Sequence, residues 1–103
     1  MISITPEAAA QIRTSAKEQH LEGLPLRVAA QRLPDGKFHY AMGFDEADPA
    51  KDTTYHIEGV DVVISSISLD LIKGMTIDFV EIDGEKQFIF LNPNDPNYTP
   101  PEE

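Results

Sequence analysis

The chain has 103 residues, enough for one domain with a single core. Hydrophobic residues make up 41%, and 8 basic residues against 18 acidic ones leave a formal charge of −10. That balance repels a phosphate backbone and argues against direct binding of DNA or RNA. No apolar run approaches the roughly 20 residues a membrane-spanning helix needs. There is no cysteine, so disulfides, thiolate metal sites and cysteine-held iron–sulfur clusters are excluded. Met1-Ile2-Ser3-Ile4 lacks the basic start and apolar stretch of a secretory signal, and the expected location is the cytoplasm. The acidity is expected to maintain solubility or to steer a basic partner.

A short strand at Ile2–Ile4 leads into a helix start at Thr5-Pro6-Glu7: a capping hydroxyl, a proline at the first helical position and an acid at the positive end of the dipole. Ala9, Ile12 and Ala16 recur at helical spacing, so the helix runs from Pro6 to about Gln19, with Gly23 as its stop. The period then becomes two. Leu26, Val28 and Ala30 alternate with Arg27, Ala29 and Gln31. Phe38, Tyr40, Met42 and Phe44 alternate with Lys37, His39, Ala41 and Gly43. Leu33-Pro34-Asp35-Gly36 between them reads as the turn of a hairpin.

The stretch Asp45–Asp52 is acidic, contains Pro49, and is expected to be exposed and mobile. Thr53–Ile57 and Val60–Ile64 read as strands around Glu58-Gly59. Ser65–Lys73 reads as a short helix, capped by Ser65, Ser66 or Ser68 and stopped by Gly74. Met75, Ile77 and Phe79 mark another strand, and Asp83-Gly84 turns the chain into Gln87–Leu91. Both faces of that last strand are apolar, which predicts a central position. The sum is a β-rich α+β domain of about seven short strands and two helices in two packed sheets. It spans residues 1–94, and a proline-rich acidic tail, 95–103, is expected to be flexible and dispensable for folding.

Chemistry-bearing patterns are sparse. His20, His39 and His56 are far apart and show no metal-ligand spacing. Only His39, near Asp35, could share a site, and a solvent-facing position on its strand explains it better. Ser65, Ser66 and Ser68 lack a nucleophile elbow and fit helix capping. Glu46, Asp48 and Asp52 lack the ligand order and glycine of an EF-hand and fit a solvated loop. Phe38, Tyr40, Phe44, Phe88 and Phe90 read as core. Nothing here makes an enzyme.

The order of elements resembles a known family. Gly59-Val60-Asp61-Val62-Val63, Ser68-Leu69-Asp70-Leu71-Ile72-Lys73-Gly74, Met75-Thr76-Ile77-Asp78-Phe79 and Phe88-Ile89-Phe90-Leu91-Asn92-Pro93-Asn94 are similar to the second half of the A-type iron–sulfur carriers, the IscA/HesB-like family. Ile4-Thr5-Pro6-Glu7-Ala8-Ala9 resembles its opening helix, and Phe38–Glu46 the strand after its first ligand. The resemblance implies a HesB-like fold with mixed sheets. Cluster-carrying members place one cysteine in a C-S-G-F turn and two in a C-terminal C-G-C. Alignment on Phe38 puts Asp35 at the first, and counting from the Asn-Pro-Asn puts Thr99 and Pro101 near the others.

A cysteine-free member looks like the DsrR-type proteins, which accompany the reverse dissimilatory sulfite reductase system of sulfur-oxidising bacteria. That resemblance implies an accessory or regulatory role through protein contacts, with no cofactor. The expected partner surface is Leu33, Asp35 and Lys37 with the nearby Glu46, Asp48 and Asp52, the partner being an unidentified protein. Family carriers often oligomerise through the cluster region, so a monomer is favoured. The alternative is an iron or divalent-metal binder using Asp35, His39, Glu102 and Glu103, hard ligands that suit an ion better than a cluster.

Overall fold

The computed structural model describes residues 2–95 of the chain. The expected tail therefore lies, but for Asp95, outside the described residues. In chain order the elements are β1 (Ser3–Ile4), α1 (Pro6–Glu18), β2 (Leu26–Arg32), β3 (Phe38–Phe44), β4 (Asp52–Ile57), β5 (Val60–Ser65), α2 (Ser66–Leu69), β6 (Thr76–Ile82) and β7 (Glu85–Leu91). One sheet has the order β1-β6-β7 and the other β3-β2-β5-β4. Both are mixed: β1 runs parallel to β6 and β2 to β5, while every other pair is antiparallel. The expected fold class is the observed one.

The opening of α1 follows its sequence. The Thr5 hydroxyl accepts from the Ala8 N–H at 3.2 Å and donates to Asp78 on β6 at 2.7 Å. Ala8, Ala9, Ile12 and Ala16 form its buried stripe. The helix ends before Gly23. His20 takes the left-handed conformation (φ 58°), and its N–H donates to Lys17 O at 3.2 Å while Leu21 N–H reaches Ala16 O at 2.8 Å. This double closure is a Schellman motif, which histidine fills here in place of the commoner glycine.

Turn chemistry sets the hairpins. At the β2–β3 turn, Gly36 N–H donates to Leu33 O at 2.9 Å, Leu33 N–H donates to Lys37 O at 2.8 Å, and Gly36 has φ +86°. This is a type I turn closed by a glycine bulge. Glu58-Gly59 and Asp83-Gly84 both have two successive positive φ values, as a two-residue hairpin turn demands.

The core lies under α1 and between the sheets, built from Ile2, Ile4, Val28, Val62, Ile64, Ile72, Met75 and Ile77 with the α1 stripe. Tyr40, Phe44, Phe88 and Phe90 pack against it half-buried, whereas Phe38 stands off the core beneath the Arg32 guanidinium, 5.2 Å from its ring centre. β7 is an edge strand, contrary to the expectation from its two apolar faces; β6 holds the centre. The apolar residues of β7 serve lateral packing instead, with Phe88 4.7 Å from the Phe79 ring and Phe90 stacked 4.8 Å from Tyr40. Among the described residues no helix is long and apolar enough to cross a membrane.

One serine closes a gap between strands. β2 and β5 are paired only at Leu26↔Val62 and Arg27↔Val63. Beyond that point Ser65 caps α2, which is shorter than the sequence suggests, and Ser68 (4% exposed) turns back toward β2. Its Oγ accepts from Ala30 N–H at 3.1 Å and lies 3.3 Å from Ala30 O, to which it can donate. Side chain thus replaces strand in the ladder. Ser68→Ala should cost about 1–3 kcal/mol, the scale for a buried backbone group left unpaired. The exposed Ser66→Ala should stay within about 0.5 kcal/mol. Urea denaturation of the two variants checks this, and equal costs would remove the role given to Ser68.

Candidate functional site

Two features meet on β3: the hairpin tip at one end and the turn that follows β7. Asn92 is 1% exposed. Its Nδ2 donates to Leu71 O at 2.8 Å and to the Tyr40 hydroxyl at 3.2 Å. Its Oδ1 accepts from the backbone and side-chain amides of Asn94 at 3.1 and 3.0 Å. Asn94 Nδ2 in turn donates to Lys73 O at 2.7 Å. Carbonyls released after α2 are therefore satisfied by the Asn-Pro-Asn turn, as burial of backbone polar groups requires.

Tyr40 completes the arrangement. Its hydroxyl donates to Asp95 Oδ2 at 2.6 Å. Burial, followed by the hydrogen bond to Asp95, pushes the phenol up to about 12. At Asp95 the chain thus lies against the strand that also carries the hairpin tip, since Tyr40 shares a face with Phe38, 6.3 Å away.

At the tip, Asp35 and Lys37 are exposed and Leu33 is half-buried. Asp35 Oδ1 accepts from Lys37 N–H at 2.9 Å, so this carboxylate stabilises its own turn. His39 is exposed, points to the face of β3 opposite Tyr40, and faces Gln31 across the hairpin. Among the described residues no three histidine, aspartate or glutamate side chains come together as a metal-binding group. Thr99, Pro101, Glu102 and Glu103 lie outside the described residues. Of the other histidines, His20 closes α1 and His56 pairs with Asp61 across β4–β5.

The acidic stretch is organised by a residue that sequence reasoning passed over. Arg27 Nε donates to Asp45 at 2.9 Å, and its Nη1 and Nη2 grip Asp52 at 2.8 and 2.6 Å. Nη2 also reaches Glu46 O at 3.0 Å. Asp48 N–H donates to Asp52 Oδ2 at 2.7 Å, and Asp48 Oδ1 accepts from Ala50 N–H at 3.0 Å. Asp52 is consequently no free loop carboxylate. Its side chain is 2% exposed and opens β4, which corrects its expected place on a partner surface. Glu46 and Asp48 remain exposed, but their loop leaves the opposite end of β3 from the Leu33–Lys37 tip, so the expected single surface is not assembled. The available signal was a lone arginine on the small-residue face of β2, but its partners lie 18 and 25 residues away.

A family model for iron–sulphur cluster biosynthesis matches residues 1–98. The chain belongs to that family. An iron–sulfur cluster insertion protein, ErpA, of Marinobacter nauticus is 33% identical over 90 residues, spanning 87% of this chain and 82% of its own. A solution structure of a protein from Aquifex aeolicus, 30% identical, superposes with a TM-score of 0.67 over 89% of this chain and 91% of that one. The fold is also that of Escherichia coli SufA, involved in biosynthesis of iron–sulfur clusters, with a TM-score of 0.76 at 23% identity over 96% and 86% of the two chains.

The donor set of this chain does not fit a cluster. Cluster iron is held chiefly by thiolates, and the chain has none. The one hairpin-tip candidate is a hard carboxylate already bonded to its own turn.

Arg27 first, then the Asp48 N–H, hold the Asp52 carboxyl down at about 2, below its ordinary 3.8. The pair's stabilisation is therefore complete above pH 3.8 and drains as the pH falls toward 2. Urea midpoints across that range should decline in the native chain and flatten in Asp52→Asn. Identical slopes would show that Asp52 is not linked to folding.

Proposed function

We propose that this family member works without a cluster, as a non-catalytic accessory or regulatory protein acting through contacts with other proteins. The observation that carries the reading is a scaffold kept without its thiolates. The hairpin tip, the Tyr40–Asn92–Asp95 connection and the Asn-Pro-Asn turn are all formed, while no cysteine occurs anywhere. Likeness to the cysteine-free DsrR-type proteins supports a setting in bacterial sulfur oxidation, beside a reverse dissimilatory sulfite reductase. The exposed tip residues Asp35 and Lys37 offer charged contacts at one end of the hairpin, and Glu46 and Asp48, on the loop that leaves its other end, offer separate acidic ones. Binding through them should weaken with salt, since exposed charges are screened over roughly 8 Å at physiological ionic strength.

Anaerobic reconstitution with ferrous iron and sulfide is the direct test. The native chain should develop no cluster absorption. Asp35→Cys combined with Thr99→Cys and Pro101→Cys should gain iron or cluster binding, because the missing ligands rather than the fold are responsible. A stable, stoichiometric cluster on the unmodified chain would overturn the reading. Titration with ferrous and other divalent ions separates it from a metal-binding role for Asp35 and His39, whose expected outcome is no saturable site.

A further inference from the structure

The register of the β2–β3 hairpin leaves one strand edge open. Leu33 N–H bonds Lys37 O and Asp45 N–H bonds Pro25 O, so the backbone groups of His39, Ala41 and Gly43 face β2. Those of Phe38, Tyr40, Met42 and Phe44 point the other way, to the outer side of β3. β3 ends its sheet, and among the described residues these outward N–H and C=O groups have no backbone partner. Natural edges are normally guarded by charge, proline, a bulge or shortness. Of the edge strands longer than two residues, β4 carries Asp52 and β7 carries Glu85 and Lys86. β3 reads FHYAMGF, with no Asp, Glu, Lys, Arg or Pro.

The side of this edge that faces the core is also open. A cavity of about 210 Å³ lies there, lined by Ile12, Met42, Phe44 and Phe88 among others. It gives an added strand somewhere to place every second side chain. Just beyond Phe44 stand the exposed Asp45 and Glu46, and Asp95 sits at Tyr40. With a net charge of −10, a second copy is repelled where a basic chain is attracted. The chain's own last residues include Pro96, Pro100 and Pro101, which lack the donors a ladder needs.

We infer that the outer edge of β3 is a docking site for an extended segment of another protein, apolar at alternate positions and rich in Lys or Arg. The segment pairs through main-chain hydrogen bonds with Tyr40 and Met42, and its apolar side chains enter the cavity beside Met42 and Phe88. This is strand addition, in which backbone bonds supply affinity and alternate pockets supply selection. The inference adds a strand edge to the charged contacts of the protein-contact reading and rests on that reading only there. Cluster reconstitution tests the one and amide protection tests the other.

The probe is a synthetic peptide, acetyl-Lys-Val-Lys-Phe-Lys-Val-Lys-amide, added to the full-length chain. Hydrogen exchange should slow at the Tyr40 and Met42 amides on binding and stay unchanged on β4. The same peptide with glutamate for lysine should bind at least about tenfold more weakly, and a version N-methylated at alternate residues should not protect these amides. Met42→Pro removes one outward donor without touching the bonds to β2, and should weaken binding about tenfold with the melting transition still cooperative. Equal binding by the N-methylated peptide, or protection appearing elsewhere, would overturn the inference. Protection of Tyr40 and Met42 in a peptide-free dimer would overturn it too, by giving the edge to a second copy.

Discussion

The buried amide of Asn92 joins parts of the chain that are 21 and 52 residues apart, the Leu71 carbonyl and the Tyr40 hydroxyl. Each of these groups would be costly to bury alone. Leu71 belongs to the turn between α2 and β6, Tyr40 to the opposite sheet, and Asn92 to the turn that follows β7. One side chain thereby fixes how the three-stranded sheet sits against the β2–β3 hairpin. The stacking of Tyr40 on Phe90 requires that placement, and so does the position of Asp95 against β3.

The described residues satisfy their own interior. No buried side-chain nitrogen or oxygen among the described residues lacks a partner, and the interior is closed by aliphatic residues. Where strand pairing fails, as between Ala30 and the end of β5, Ser68 supplies the missing bonds. A family whose fold is held by its core can change its ligands without changing its shape.

Local chemistry was readable where a single turn or one periodic face decides the outcome. Thr5-Pro6-Glu7 starts α1, Pro34-Asp35-Gly36 and Asp83-Gly84 make hairpins, and Leu26, Val28 and Ala30 face inward. The failures share a cause. The edge position of β7 depends on which strand lies beside β6, the stop of α1 at His20 instead of Gly23 on a histidine accepting a left-handed backbone, and the grip of Arg27 on residues remote in sequence. At the candidate site, the exposure of Asp35 and His39 was legible from turn and alternation. The burial of Asp52 was not, because only the folded sheet brings Arg27 across to it.

The bond from Thr5 to Asp78 spans 73 residues, and it carries a consequence for the order in which the molecule assembles. β1 has two residues and, among the described residues, pairs with β6 alone, and the cap of α1 leans on the same strand. α1 can rest its buried stripe on β5 and reach the Glu58 carbonyl through Arg13, but β1 and the Thr5 cap have no strand to settle on until the segment around Thr76–Ile82 has been synthesised. Contacts of such long separation slow the search for the native state, because loop closure must precede the reward. The four-stranded sheet, by contrast, is laid out within one continuous stretch of chain. It can form while its cover is still waiting for the last strands to leave the ribosome.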